Sequence, residues 1–234
     1  MTGRTPIREL PGRELIQAID RLVWRFETLE QDYTNLMEIR DPTLFGEQRA
    51  HRFKKRGQLY EAERRLHHFL AGYYSYDQLV ETLAEASIEE SGHDAIYGRK
   101  GQYEQLDRAS EIMGLRIYIQ HNDILPLLVR NSEHSEDTPR FVLNKTELEM
   151  SGDDEYYDDF SSHYGHISGI CLYPFQTIDE HWPEFQSFHE DIVDAVKDKN
   201  QQHIEEYQSR LEELEEIRDE HVLPEFREMM GLDS

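Results

Sequence analysis

Two stretches of this chain repeat apolar residues in alternating steps of three and four, and that repetition limits the fold more than any other feature. After Pro11 the series is Leu15, Ile19, Leu22, Phe26, Leu29, Tyr33 and Leu36; further on it is Leu59, Ala62, Leu66, Phe69, Tyr73, Tyr76, Val80 and Leu83. At 3.6 residues per turn each series gathers on one side of an α-helix and makes a seam that a second helix must cover. Asp41-Pro42 closes the first helix, because the residue before a proline is driven out of the α region. The two helices are expected to pack antiparallel. A third helical region runs from Asp179 to His221, with Phe185, Phe188, Ile192 and Val196 on one stripe and Ile204, Tyr207, Leu211 and Leu214 on another. Asn200-Gln-Gln202 marks a break between them.

The connecting segments read differently. Ser91 to Gln102, with Gly92, Gly98 and Gly101, reads as a loop. Asn131 to Pro139 is polar and turn-like, and Arg140-Phe-Val-Leu143 has the composition of a lone strand or hairpin arm. Thr146-Glu-Leu-Glu149 has the form of a capping box at the start of a short helix. No internal repeat or low-complexity linker divides the chain. The expected fold is therefore mainly α: an antiparallel helical bundle with a small extended or hairpin segment and long C-terminal helices. It is read as one helical unit over residues 1–234, with the bundle core at 10–126 and an acidic, mostly helical extension at 140–234.

Charge enters the argument through its size and its distribution. Asp and Glu number 49 against 25 Lys and Arg, a formal net charge of −24. An acidic surface with 19 Arg but only 6 Lys is what a cytoplasmic protein of a salt-accumulating organism is expected to carry, since high ionic strength screens the self-repulsion. An acidic nucleic-acid mimic or a disordered solvating chain is the alternative. Residues 1–120 hold 17 basic and 20 acidic side chains, whereas residues 121–234 hold 8 and 29. The near-neutral half contains both basic clusters, Arg49-Ala-His-Arg-Phe-Lys-Lys-Arg56 and Arg64-Arg-Leu-His-His68. A basic patch on an acidic protein fits a phosphate backbone, and it fits equally a helix whose charges an acidic neighbour neutralises.

Several function classes are set aside. The single Cys171 excludes an internal disulfide framework and fits a reducing compartment. No stretch approaches the roughly 18 apolar residues of a spanning helix, and Met1 to Leu10 has no apolar core of an export signal. A soluble, cytoplasmic protein without membrane association is expected. The acidic run Ser151 to Ser162, followed by His163 and His166, shows neither calcium-loop order nor zinc-ligand spacing, so no metal or cofactor is expected.

The stretch from Ala109 to Pro126 carries the chemistry. Leu106, Ala109, Met113 and Ile117 recur at steps of three and four and predict a helix, which Pro126 stops. Its end reads Arg116-Ile-Tyr-Ile-Gln-His121. On an ideal helix those two residues lie about 140° and ~7.5 Å apart, and a long arginine at a helix end can swing toward the imidazole. Cleavage of an RNA strand by its own 2′-hydroxyl needs a group that moves a proton near neutral pH, which suits histidine. It also develops charge on phosphate oxygens, which a planar guanidinium can hold. The plainer alternative is that Arg116 complements the helix C-terminus electrostatically and His121 is a solvated turn residue. Tyr73, Tyr74 and Tyr76 have a similar double reading, as a base-stacking platform or as core filling.

The run Leu115-Arg-Ile-Tyr-Ile-Gln-His-Asn122, followed by a proline and preceded by a helix with Arg65-Leu-His-His-Phe-Leu-Ala71 and Tyr73 to Asp77, resembles the HEPN superfamily of small helical bundles. The mark of that superfamily is an arginine, four to six intervening residues and a histidine on a bundle helix. The resemblance spans Leu59 to Pro126. It implies a homodimer whose paired motifs form a metal-independent endoribonuclease site, in toxin, phage-defence or RNA-processing roles, with RNA and a cognate antitoxin as partners. Arg116 and His121 then occupy the catalytic positions. Asn122, Tyr118, Arg65, His68 and Asp77 become supporting or substrate-binding candidates, and Arg52, Lys54, Lys55, Arg56 and Arg64 become RNA guides. Many members carry a polar residue after the motif arginine; here it is Ile117, which suits the superfamily's non-catalytic binding modules. Two readings stay open: a homodimeric ribonuclease, and a non-catalytic interaction module such as the partner half of a toxin–antitoxin or defence pair.

Overall fold

The computed structural model describes residues 7–40, 52–122, 127–130, 140–144 and 171–221. Within these, the side chains of residues 8, 52–56, 107, 120–122, 130 and 217–221 are outside the description. The described residues are mainly helical, with a small antiparallel sheet. After a 3-10 turn at Ile7–Glu9 come α1 (Gly12–Met37), α2 (Arg52–Ala86), α3 (Glu90–Glu104) and α4 (Asp107–Asn122). Strands β1 (Leu127–Arg130), β2 (Arg140–Asn144) and β3 (Cys171–Leu172) precede α5 (Pro174–Lys199) and α6 (Gln201–His221).

Both long seams behave as their spacing requires. On α1, Leu15, Leu22, Leu29 and Leu36 are completely buried, one every seven residues, and on α2 Ala62 through Leu83 follow the expected series. The pair is antiparallel: Arg65 reaches Glu38, His68 faces Asp32, and Gly72 lies against Arg25 and Leu29. A Cβ on Gly72 would stand 2.9 Å from the Leu29 methyl carbon, so glycine sets how closely the helices approach. The Arg25 Nε donates to the Gly72 carbonyl at 3.2 Å across that contact.

The acidic C-terminal half supplies the helix that completes the core. Phe185, Ile192 and Val196 of α5 are buried in the same cluster as the α1 and α2 seams. Trp182 stacks on Tyr33 of α1 at 4.3 Å, and His189 stacks on Phe26 at 3.9 Å. Tyr33 donates to the Asp179 carboxylate at 2.7 Å, which Arg40 also engages at 2.8 Å. The expected break after α5 falls at Asn200, whose side chain is 1 % exposed. Its Oδ1 accepts from the backbone N–H groups of Ile88 and Glu89, both at 3.1 Å. Its Nδ2 donates to Ser87 Oγ and to the Val196 carbonyl. The α5–α6 elbow is thereby pinned to the α2–α3 elbow. Beyond it α6 returns along α1, close enough that a Cβ on Gly12 would meet the His203 carbonyl oxygen at 2.3 Å.

Three expectations need correction. Ser91 to Gln102 is helical, not a loop: its buried stripe is Gly92, Ile96, Lys100 and Tyr103, a helical period in which only one residue is aliphatic. The apolar stripe of α4 is rotated from the one expected. Ala109, Ile112, Leu115 and Ile119 are buried, whereas Leu106 is exposed and Met113 and Ile117 are half-buried. The strand at Arg140 is neither lone nor a hairpin arm alone but the centre of a three-stranded antiparallel sheet ordered β1-β2-β3, with Leu127 opposite Leu143 and Leu143 opposite Leu172. Phe141 fixes this sheet to α5 by stacking on Phe175 at 5.1 Å. The capping box at Thr146, the acidic run from Ser151, and His163 and His166 lie outside the described residues. Among the described residues no helix is long and apolar enough to cross a membrane.

Candidate functional site

The motif helix α4 turns Leu115, Tyr118 and Ile119 into the core. The same rotation carries Arg116 toward α2, where its guanidinium carbon lies 3.1 Å from the centroid of the Tyr74 ring. A guanidinium on the face of an aromatic ring is attracted by the ring quadrupole. Arg116 has no carboxylate partner among the described residues. Tyr118, expected near substrate, is 4 % exposed and belongs to the core. His121 and Asn122 are the last two residues of α4, and their side chains lie outside the described residues.

The supporting candidates on α2 do not gather around Arg116. Arg65 donates to Glu61 of its own helix at 2.8 Å and, at the C-terminal end of α1, to Glu38 at 3.1 Å and to the Asn35 carbonyl. Tyr74 is nine positions further on, about two and a half turns of an ideal helix, so the two occupy opposite faces of α2. His68 is exposed, 3.9 Å from Asp32 of α1. Asp77 is one turn beyond Tyr74 but forms a 2.9 Å ion pair with Lys100. Arg64 grips both oxygens of Glu61 at 2.9 Å. Its hydrogen bonds to Arg64 and then Arg65 hold the Glu61 carboxyl down at about 2. The second basic cluster is thus neutralised in part by its acidic neighbours. Arg52, Lys54, Lys55 and Arg56 occupy the first turns of α2; their side chains lie outside the described residues.

A second constellation, which the motif did not indicate, occupies the interior. Tyr73 of α2 is hydrogen-bonded to Tyr103 of α3, and Tyr103 in turn to His181 Nε2 of α5. His181 Nδ1 faces Glu184 at 3.2 Å. Burial lowers the His181 pKa against the opposing pull of Glu184, so the ring is neutral near pH 7. One proton arrangement then satisfies the chain: Tyr73 donates to Tyr103, Tyr103 donates to Nε2, and Nδ1–H donates to Glu184. Burial raises both tyrosine pKa values. Alongside, Tyr76 shares a 3.0 Å hydrogen bond with His189 Nδ1, and burial, then the Lys197 charge, brings His189 down to about 4.

This network borders a cavity of 210 Å³ where α2, α3, α4 and α5 meet. Tyr73, Tyr76, Tyr103, Phe185, Phe188 and Met113 form much of its wall, and Asp77 and Glu104 bring carboxylates to it. Lys100, only 8 % exposed, is surrounded by Asp77 and Glu81 at 2.9 Å and Glu104 at 3.7 Å. Burial alone would lower the Lys100 pKa, but its hydrogen bonds to Glu81 and Asp77 outweigh that and raise it. Among the described residues no three His, Cys, Asp or Glu side chains are grouped to hold a metal ion.

His181, His189 and Asn200 were missed as a set although a signal exists. His181 and His189 fall on the buried side of α5 with Phe185, Ile192 and Val196, and buried Asn200 caps its C-terminal end. A polar residue inside an apolar stripe must find a hydrogen-bond partner. No family model, curated protein or solved structure matches this chain.

Proposed function

We propose that the protein is a non-catalytic helical binding module in which Arg116 is a structural clasp between α4 and α2. The observation that carries this reading is the guanidinium lying 3.1 Å over the Tyr74 ring. Two further features support it: Arg64, Arg65 and Asp77 are engaged in ion pairs away from the motif, and the residue after Arg116 is the apolar Ile117. A second copy of the chain, or a partner protein of the kind found in toxin–antitoxin and defence pairs, is the ligand this reading assigns.

One observation favours a second reading. Arg116 has no carboxylate partner among the described residues of a chain in which acidic side chains outnumber basic ones 49 to 25. A guanidinium held by its face keeps its N–H edge available for phosphate. A homodimeric, metal-independent endoribonuclease would use that edge on the phosphate, with His121 moving the proton.

RNA cleavage separates the two. The parent, Arg116→Ala and His121→Ala are incubated with RNA in molar potassium chloride with a chelator, and the folding of each is checked by circular dichroism. The binding-module reading expects no cleavage by the parent beyond that of the variants. Cleavage by the parent that both folded variants lose would replace it with the ribonuclease.

A further inference from the structure

We propose that the cavity between α2, α3, α4 and α5 binds a small organic cation: a primary ammonium carried on a single aromatic ring. The inference stands apart from the role of Arg116, whose clasp to Tyr74 is separate from the cavity wall.

The size of the space limits the ligand first. Apolar cavities of about 150 Å³ take up one benzene, so 210 Å³ holds one ring and a short chain. The wall then selects its character. Phe185, Phe188, Tyr73, Tyr76 and Tyr103 present aromatic surface, which favours apolar groups and whose ring faces attract cations.

Charge decides the sign. Three carboxylates, Asp77, Glu81 and Glu104, surround the single ammonium of Lys100, so the cluster retains net negative charge. Asp77 and Glu104 reach the cavity, whereas Lys100 does not line it. The Glu104 side chain is half exposed and that of Asp77 is 22 % exposed, which places the negative charge toward the solvent side. The hydroxyls of Tyr73 and Tyr103 are already bonded to each other and to His181, and none of the described residues lining the cavity carries a positive charge that would hold an anion. An ammonium at the Asp77–Glu104 side with its ring among Phe185 and Phe188 satisfies the charge and the apolar wall together.

The test titrates the intact protein calorimetrically with three ligands of similar shape, 2-phenylethylamine, 2-phenylethanol and 3-phenylpropanoate, with ethylamine as a control for general attraction to a chain of charge −24. The expected result is that the amine binds at least tenfold more tightly than the alcohol, while the acid and ethylamine show no saturable binding. Glu104→Gln, at a half-exposed position, is expected to cut the preference for amine over alcohol at least threefold. Ala109→Leu, which adds three carbons to the wall, is expected to remove binding of both. If Ala109→Leu does not fold, Glu104→Gln alone decides. Equal binding of amine, alcohol and acid, no binding by any of them, or amine binding unchanged in Glu104→Gln overturns the proposal.

Discussion

Asn200 is a single residue whose loss reaches two elbows. Its amide oxygen satisfies two N–H groups at the start of α3 and its nitrogen bonds Val196 and Ser87. Asn200→Ala would leave two part-buried donors, the N–H groups of Ile88 and Glu89, unmatched; a fully buried group would cost about 1–3 kcal/mol, and partial access to water reduces that. The expected loss is about 1–3 kcal/mol, read as a lower urea midpoint with an unchanged slope. At this scale the sequence indicated where the helix breaks, because Asn200-Gln-Gln202 interrupts two apolar stripes, but not what the asparagine bonds to. Ile88, Glu89 and Ser87 lie more than 100 residues away, and local spacing carries no trace of them. Arg65 shows the same limit. Its place with His68 on the helix preceding the motif made it a supporting candidate, whereas its bonds to Asn35 and Glu38 depend on how α1 lies along α2.

At the scale of elements, α3 is the instructive case. Three glycines made it read as a loop, since each costs about 1 kcal/mol relative to alanine inside a helix. The helix forms because Ile96, Lys100 and Tyr103 bury one side of it and Lys100 is neutralised by its carboxylates. The glycines are not equivalent. A Cβ at Gly98 meets nothing within 4 Å, whereas one at Gly92 would stand 2.4 Å from Ser87 Oγ and 2.9 Å from Asn200 Nδ2. Gly98→Ala is therefore expected to stabilise the protein by about 0.5–1 kcal/mol, and Gly92→Ala to destabilise it by more than about 1 kcal/mol through the displaced elbow. Thermal denaturation of the two variants beside the parent gives shifts of opposite sign. The α1 and α2 seams were legible because their apolar residues are numerous and regular. The rotation of α4 was not, since Met113 and Ile117 continue one stripe while Ile112, Leu115 and Ile119 offer another, and only the neighbouring helices choose between them.

For the whole molecule, two buried histidines contribute to the response to acid. Burial holds the His181 and His189 pKa values below the ordinary histidine value, with His189 at about 4. As pH falls, the unfolded chain therefore takes up protons before the folded one does. The stability tied to these groups is complete above about pH 6.5 and is lost as pH drops toward 4. After allowance for partial solvent screening, His189 alone contributes about 2 kcal/mol of this loss, and His181 adds in the same direction. Urea unfolding between pH 7.5 and 4.5 should show the midpoint falling. The paired replacement Tyr76→Phe with His189→Phe should flatten that fall without leaving a hydroxyl unpartnered. The charge asymmetry of the chain was legible from its sequence, but it drew attention to the N-terminal half. The interior network depends on α5, which lies in the acidic half and whose apolar stripe, not its charge, assigns it to the core.

The clasp between Arg116 and Tyr74 is tested most directly by a double-mutant cycle in stability, using Arg116→Met, Tyr74→Leu and the pair. A guanidinium on a half-buried ring predicts a favourable coupling of about 0.5–1 kcal/mol, with each single variant less stable than the parent. Additive effects, with Arg116→Met as stable as the parent, would contradict the structural role and return the arginine to the phosphate-binding reading.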